Sequence, residues 1–168
     1  MKNIKLRIAA SEQRCEINVR AGIFSDLGGE VRRVLGEFSR TIVIVSNEKV
    51  FGHYGNIVSR SLRDGDFQIK TWLMGEGERY KSLRTLETAL AFFSHAHLER
   101  NDAVLALGGG VVGDLGGLAA ALHLRGIGLL HAPTTLLAQI DASIGGKTAV
   151  NTSMGKNLVG TFYHPRGI

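Results

Sequence analysis

Residues 108–114 read Gly-Gly-Gly-Val-Val-Gly-Asp and follow the apolar run 103–107 (AVLAL). Gly108, Gly110 and Gly113 formally make a G-x-G-x-x-G pattern between a predicted strand and a predicted helix, the context that phosphate binding needs. Glycine lets backbone N–H groups come close to a pyrophosphate, and a helix N-terminus adds partial positive charge. This is not the ordinary dinucleotide fingerprint. That pattern sits on the first strand of its fold, with an acidic residue about 20 positions on for the ribose. Here three or four strands come first, and the next carboxylate after Asp114 is Asp141. The glycines favour a phosphate cradle over a plain tight turn. On spacing alone Asp114 reads as an N-cap, its carboxylate accepting backbone N–H bonds.

Three further clusters carry polar chemistry. Thr134 and Thr135 follow a predicted strand and so face the carboxyl edge of a parallel sheet, where α/β proteins bind ligands; helix capping by either is equally open. The stretch 141–157 holds Asp141, Lys147, Asn151, Lys156 and Asn157 among glycines. It is not a P-loop, because no glycine stands where G-x-x-x-x-G-K-[ST] needs its first. Such a stretch reads as a surface loop or as an anion-holding loop. Upstream, Glu76, Glu78 and Lys81 lie between a strand and a helix and read better as a solvated ion pair than as a ribose site.

The elements that position these residues follow from periodicity. Ile4, Leu6 and Ile8 alternate with polar residues, as do Cys15, Ile17 and Val19, which predicts a hairpin of two half-buried strands. Leu27, Val31, Val34 and Leu35 recur at helical spacing, with Ser25 or Asp26 as N-cap and Gly36 as terminator. Residues 41–45 (TIVIV) and 103–107 predict strands buried on both faces. Further helices are predicted around Val50 to Leu62, around Leu83 to Phe93 with Ser82 as cap, and over 115–124. Further strands are predicted over 67–73 and 127–131. The order predicts one α/β domain with a mainly parallel sheet flanked by helices.

Composition sets outer bounds. The 168 residues are 44% hydrophobic and 21% charged, enough for one globular core. The net charge of +5 is dispersed along the chain, which does not favour nucleic-acid binding. No stretch is apolar for long enough to form a secretory leader or a membrane span. A single cysteine, Cys15, excludes an internal disulfide and fits a cytoplasmic setting.

Taken in order, Gly77-Glu78-Arg79-Tyr80-Lys81-Ser82, residues 107–115, Arg125-Gly126, residues 133–139, residues 141–151, Gly155-Lys156-Asn157 and Phe162-Tyr163 resemble the 3-dehydroquinate synthase family. The resemblance is specific over 106–163; before Gly75 only the pattern of elements matches. It implies a Rossmann-like, NAD-binding N-terminal domain over residues 1–168. It further implies a C-terminal helical domain holding a divalent metal, zinc or cobalt, in the complete enzyme. The implied enzyme is a lyase of the shikimate pathway leading to aromatic amino acids, commonly a homodimer. It converts a phosphorylated sugar acid, 3-deoxy-D-arabino-heptulosonate 7-phosphate, to 3-dehydroquinate and phosphate.

Carried over by position, the resemblance puts Glu76, Gly77, Glu78, Arg79, Tyr80 and Lys81 at the adenosine end of NAD. Gly109, Gly110, Val111, Val112, Gly113 and Asp114 go to its pyrophosphate. Thr134 and Thr135 line the nucleotide, and Lys147 and Lys156 lie near the nicotinamide. Asp141, Lys147 and Asn157 are the implied catalytic residues. Arg125 is implied to reach the phosphate site of a neighbouring subunit, and Asn47 to approach the adenine. Two departures stand out: Asn151-Thr152-Ser153-Met154 replaces the usual Asn-His-Pro segment, and His123 replaces a common tyrosine.

The sequence ends at Pro165-Arg166-Gly167-Ile168, where the resemblance places the start of the metal domain. These residues alone are therefore expected to be inactive, and no metal triad is expected among them: His95 and His97, two apart on a predicted helix, would diverge. The rival readings are a related sugar-phosphate cyclase and a non-catalytic nucleotide-binding module. Gly145-Gly146-Lys147-Thr148 and Gly113-Asp114 favour the dehydroquinate branch over the other cyclases.

Overall fold

The structure, a computed structural model, describes residues 14–168. Four parallel strands form the sheet: β1 Thr41–Asn47, β2 Gln68–Met74, β3 Ala103–Gly108 and β4 Gly128–Pro133, in the order β2-β1-β3-β4. Four helices connect or flank them: α1 Leu27–Leu35, α2 Glu48–Asp64, α3 Leu83–His95 and α4 Gly110–Leu122. An antiparallel hairpin, β5 Lys147–Thr152 and β6 Gly155–Phe162, follows.

The β-branched runs sit centrally because both faces of the sheet are covered. Side chains alternate across a strand, so one run feeds two cores. Val43, Val45, Val104 and Ala106 pack with Phe93 of α3 and with Leu115 and Leu118 of α4. Ile42, Ile44, Leu105 and Leu107 pack with Val31 of α1 and with Val58 and Leu62 of α2. The α1–α2 crossing is close enough to need glycine. A Cβ on Gly28 would fall 1.9 Å from the Ser61 carbonyl oxygen. The Ser61 hydroxyl accepts from the Gly28 N–H (3.0 Å) and donates to the Ser25 carbonyl (2.9 Å).

Several boundaries differ from expectation. The strand expected at 4–8 lies outside the described residues. Its expected partner at 15–19 is not a regular strand. Among the described residues its one bridge is a parallel one from Glu16 to Gly167, and Ile17 and Val19 are 50% and 92% exposed. Period-2 alternation says which residues share a face, not what covers it. Asp26 stands at the start of α1 but caps no N–H; its carboxylate pairs with Arg20 at 3.0 Å. Ser82 does cap α3, accepting from the Thr85 N–H at 3.2 Å. His97 lies past the end of α3 with φ 53, so His95 and His97 do not share a helix.

The free edge of β4 is closed by the last residues. Arg166 N–H donates to Leu129 O (2.7 Å) and His131 N–H to Gly167 O (3.0 Å). The same segment pairs outward with residues 16–18, through Ile168 N–H to Glu16 O and Asn18 N–H to Ile168 O, both 2.8 Å.

Candidate functional site

Gly108 ends β3, Gly109 precedes α4 and Gly110 opens it, five residues earlier than expected. This start is set by packing rather than propensity, since glycine is a poor helix former. A Cβ on Gly117 would lie 2.6 Å from the Thr148 side chain, and one on Gly116 3.3 Å from Ala106 and Val45. The helix therefore lies close on the sheet and on β5 because its contact face lacks side chains. Gly108 and Gly109 are likewise hemmed in, by Val112 at 2.7 Å and Thr135 at 3.2 Å. Gly110 is different. Its nearest neighbour would be the Ala142 Cβ at 3.9 Å, so it leaves open space at the helix N-terminus. The first turn of a helix has N–H groups without intrahelical partners, and with the dipole these suit an anion.

The early start also corrects the reading of Asp114. It lies in the second turn of α4 and is not an N-cap. Its carboxylate forms a close ion pair with the Lys81 ammonium, which is only 4% exposed. Lys81 thus pairs across 33 residues of sequence rather than with Glu76 or Glu78 beside it. The same ammonium donates to Asn157 Oδ1 at 2.6 Å. Asn157 holds a left-handed backbone, φ 57, which asparagine tolerates better than most residues. Burial raises the Asp114 carboxyl above the ordinary carboxylate range; the Lys81 hydrogen bond and charge pull the other way without cancelling it. A buried ion pair contributes little net stability, because desolvation offsets attraction. Such a pair at a cavity wall is a candidate for function.

The cavity has a volume of about 820 Å³. Gly110, Val111 and Asp114 of α4 form one wall, with Glu78 and Lys81 beside them. Asp141, on the π-helical turn Ala138–Ala142, and Lys147, Lys156 and Asn157 of the hairpin complete it. Lys147 donates to Asp141 at 3.1 Å, with the two side chains 59% and 60% exposed. An ion pair this exposed is weak, so both groups remain available to a ligand. Lys156 has no ion pair among the described residues.

The stretch that read as a loop is thus largely a β-hairpin. Its signal was the alternation Thr148, Val150, both buried. Asn151, named from the sequence only as part of that polar stretch and given no role of its own, joins the hairpin to the 78–82 segment. The replaced Asn-His-Pro segment forms the hairpin turn, where the Thr152 hydroxyl accepts the Met154 N–H at 3.2 Å.

The remaining nominated residues do not line the cavity. Thr135 accepts from the Ala138 N–H (3.3 Å), so it caps the following turn. Thr134 N–H donates to Gly108 O (3.0 Å). Val112 is buried in the core, and Gly113 lies against the His131 ring. Glu76 and Gly77 are exposed, and Arg79 stacks on Tyr80 at 4.9 Å. Arg125 is exposed past the far end of α4, with φ 68. Asn47 caps α2 through its side-chain oxygen, accepting the Val50 N–H at 2.9 Å. His123 is buried on Phe93, its Nε2 3.2 Å from Leu98 O. Among the described residues, no three His, Cys, Asp or Glu side chains converge as metal ligands, and no helix is long and apolar enough to cross a membrane.

Comparison with known proteins gives a consistent result. The family described as 3-dehydroquinate synthase N-terminal matches residues 71–168. A 3-dehydroquinate synthase of Prochlorococcus marinus (strain MIT 9215) is 40% identical over 168 residues, all of this chain and 46% of the relative. The chain spans just under half the length of the curated relatives it matches. Among solved structures, a 2-deoxy-scyllo-inosose synthase superposes with TM-score 0.81 at 28% identity, over 91% of this chain and 42% of that one. A 2-epi-5-epi-valiolone synthase from Streptomyces hygroscopicus subsp. jinggangensis 5008, with NAD+ and Zn2+ bound, superposes with TM-score 0.79 at 28% identity, over 96% and 44%.

Proposed function

Because this chain belongs to the 3-dehydroquinate synthase N-terminal family, we propose that it is the NAD-binding part of a cytoplasmic 3-dehydroquinate synthase. The observation that carries the reading is the open helix N-terminus at Gly110, beside the buried Lys81 that ties Asp114 to Asn157. Gly110 supplies a cradle that a side chain would fill, which fits the pyrophosphate of a dinucleotide. Glu78 and Lys81 bind toward the ribose, and Lys147 and Lys156 toward the nicotinamide end. NAD held by these residues would supply reversible oxidation of a substrate alcohol, the chemistry needed to make elimination of phosphate from a neighbouring position possible.

The chain's own residues position the reactants. Lys147 and Lys156 present positive charge to the phosphorylated sugar acid, 3-deoxy-D-arabino-heptulosonate 7-phosphate. Asp141 lines the same wall beside Lys147 and faces the reacting end of the substrate, and Asn157 fixes Lys81 while lining the cavity. Among the described residues no cluster of His, Cys, Asp or Glu fits a divalent metal; the metal-binding helical part belongs to the rest of such an enzyme. Without that part, these residues bind NAD but do not turn over substrate. Arg125, exposed at the opposite end of α4, is assigned to the phosphate site of a neighbouring subunit in a homodimer.

Calorimetric titration with NAD tests the cofactor reading. A valine at position 110 has room in the fold, because the Gly110 Cβ direction is open. Gly110→Val should therefore leave the chain folded and abolish saturable binding, and Lys81→Ala should weaken it at least tenfold, about 1.4 kcal/mol. A folded wild-type chain that binds no NAD would refute the reading. The solved cyclases that superpose here leave a related sugar-phosphate cyclase as a second reading. Turnover of the heptulosonate phosphate, and not of a hexose phosphate, by the full-length protein separates the two.

A further inference from the structure

Asn151 uses its backbone and both ends of its side chain to join three parts of the site. Its backbone N–H donates to Lys81 O at 2.8 Å, which fixes β5 beside the 78–82 segment. Its Nδ2 donates to Glu78 Oε1 at 2.8 Å. Its Oδ1 accepts the backbone N–H of Asn157 at 2.9 Å. Asn157 is the residue with φ 57 whose side chain receives Lys81. A left-handed residue inside a strand needs an outside partner to hold its N–H, and the Asn151 amide is that partner.

We infer that Asn151 is a positioning residue: its amide sets Glu78 and Asn157 at the mouth of the cavity, and through Asn157 it aims the Lys81 ammonium. The inference rests on the cofactor reading above. The amide meets both demands at once, its NH2 donating to Glu78 and its carbonyl oxygen accepting from Asn157. Aspartate keeps the acceptor for Asn157 but turns a second carboxylate toward Glu78. Leucine or alanine keeps neither contact. The strand pairing itself runs through the backbone, so it survives substitution at this position.

The test is a double-substitution cycle read by calorimetric NAD affinity, with circular dichroism to confirm folding. Asn151→Asp in the wild-type background should weaken NAD binding about tenfold, in the range of coupling between contacting residues. In a Glu78→Gln background the donor returns from the other side, since the glutamine amide donates to the new carboxylate. There the same substitution should cost less than twofold. A general structural lesion would cost the same in both backgrounds, and that result overturns the positioning role while leaving the cofactor reading intact. Absence of NAD binding by the wild-type chain refutes the cofactor reading and overturns this role with it. Should Asn151→Asp not fold, Asn151→Ala against Glu78→Ala decides by the same comparison.

Discussion

His131 should make this domain acid-sensitive by a calculable amount. It lies on β4 with 7% of its surface exposed, its ring against Gly113 at the start of α4. Burial in this site lowers its pKa from 6.5 to about 4. The folded chain therefore resists protonating this ring, whereas the unfolded chain takes up the proton at about pH 6.5. A depressed folded pKa gives stability that is present above the unfolded value and lost as pH falls through the folded one. At about 1.4 kcal/mol per pH unit, the loss between pH 6.5 and 4 comes to about 3 kcal/mol. Urea unfolding followed by the single tryptophan, Trp72, reads it directly. The difference in stability between wild type and His131→Gln should fall by about 3 kcal/mol in wild type's disfavour from pH 7 to pH 4. A difference that stays constant over that range would show that His131 is not the group responsible.

Two further outcomes follow from other contacts. Lys81→Met leaves the Asp114 carboxyl buried without its cation, so its pKa, already raised, should rise further. A raised folded pKa gives stability that is present at acid pH and lost as pH rises, so relative to wild type this variant should lose least stability in acid and progressively more toward neutral pH, as the difference between the two chains' urea midpoints from pH 4 to 8 will show. Gly28→Ala drives a methyl group to 1.9 Å from the Ser61 carbonyl, a backbone clash that only separation of α1 from α2 relieves. It should cost about 3 kcal/mol or more and be visible as a drop in melting temperature; a change below about 0.5 kcal/mol would contradict the crossing described.

The sheet was legible because its signal is local. TIVIV and AVLAL have no polar face, and only a strand covered on both sides accommodates such runs. The cap at Ser82 was legible for the same reason: one side chain, three residues from the N–H it accepts. The site was legible by residue type but not by partner. Lys81 meets Asp114 and Asn157 across 33 and 76 residues, distances over which no spacing rule operates. Asp114 was misread as a cap because aspartate favours caps locally, whereas α4 starts where glycines allow it to lie against β5. The β5–β6 hairpin was obscured by its glycines, lysines and asparagines, residues whose loop preference is overridden here by pairing and by burial of Thr148 and Val150.

The closure of β4 by residues 166–168 has a consequence for how the chain is made. The segment that seals this edge is the last part of the described fold to be synthesised. Until it leaves the ribosome, the outer edge of β4 presents backbone N–H and C=O groups without the partners that residues 166–167 supply. Such an edge recruits strands from other chains. The nascent domain is therefore most prone to aggregate when its sheet is formed but its final residues are still in the exit tunnel. Residues 16–18, made early, gain their backbone hydrogen bonds to residues 166–168 only at that last step.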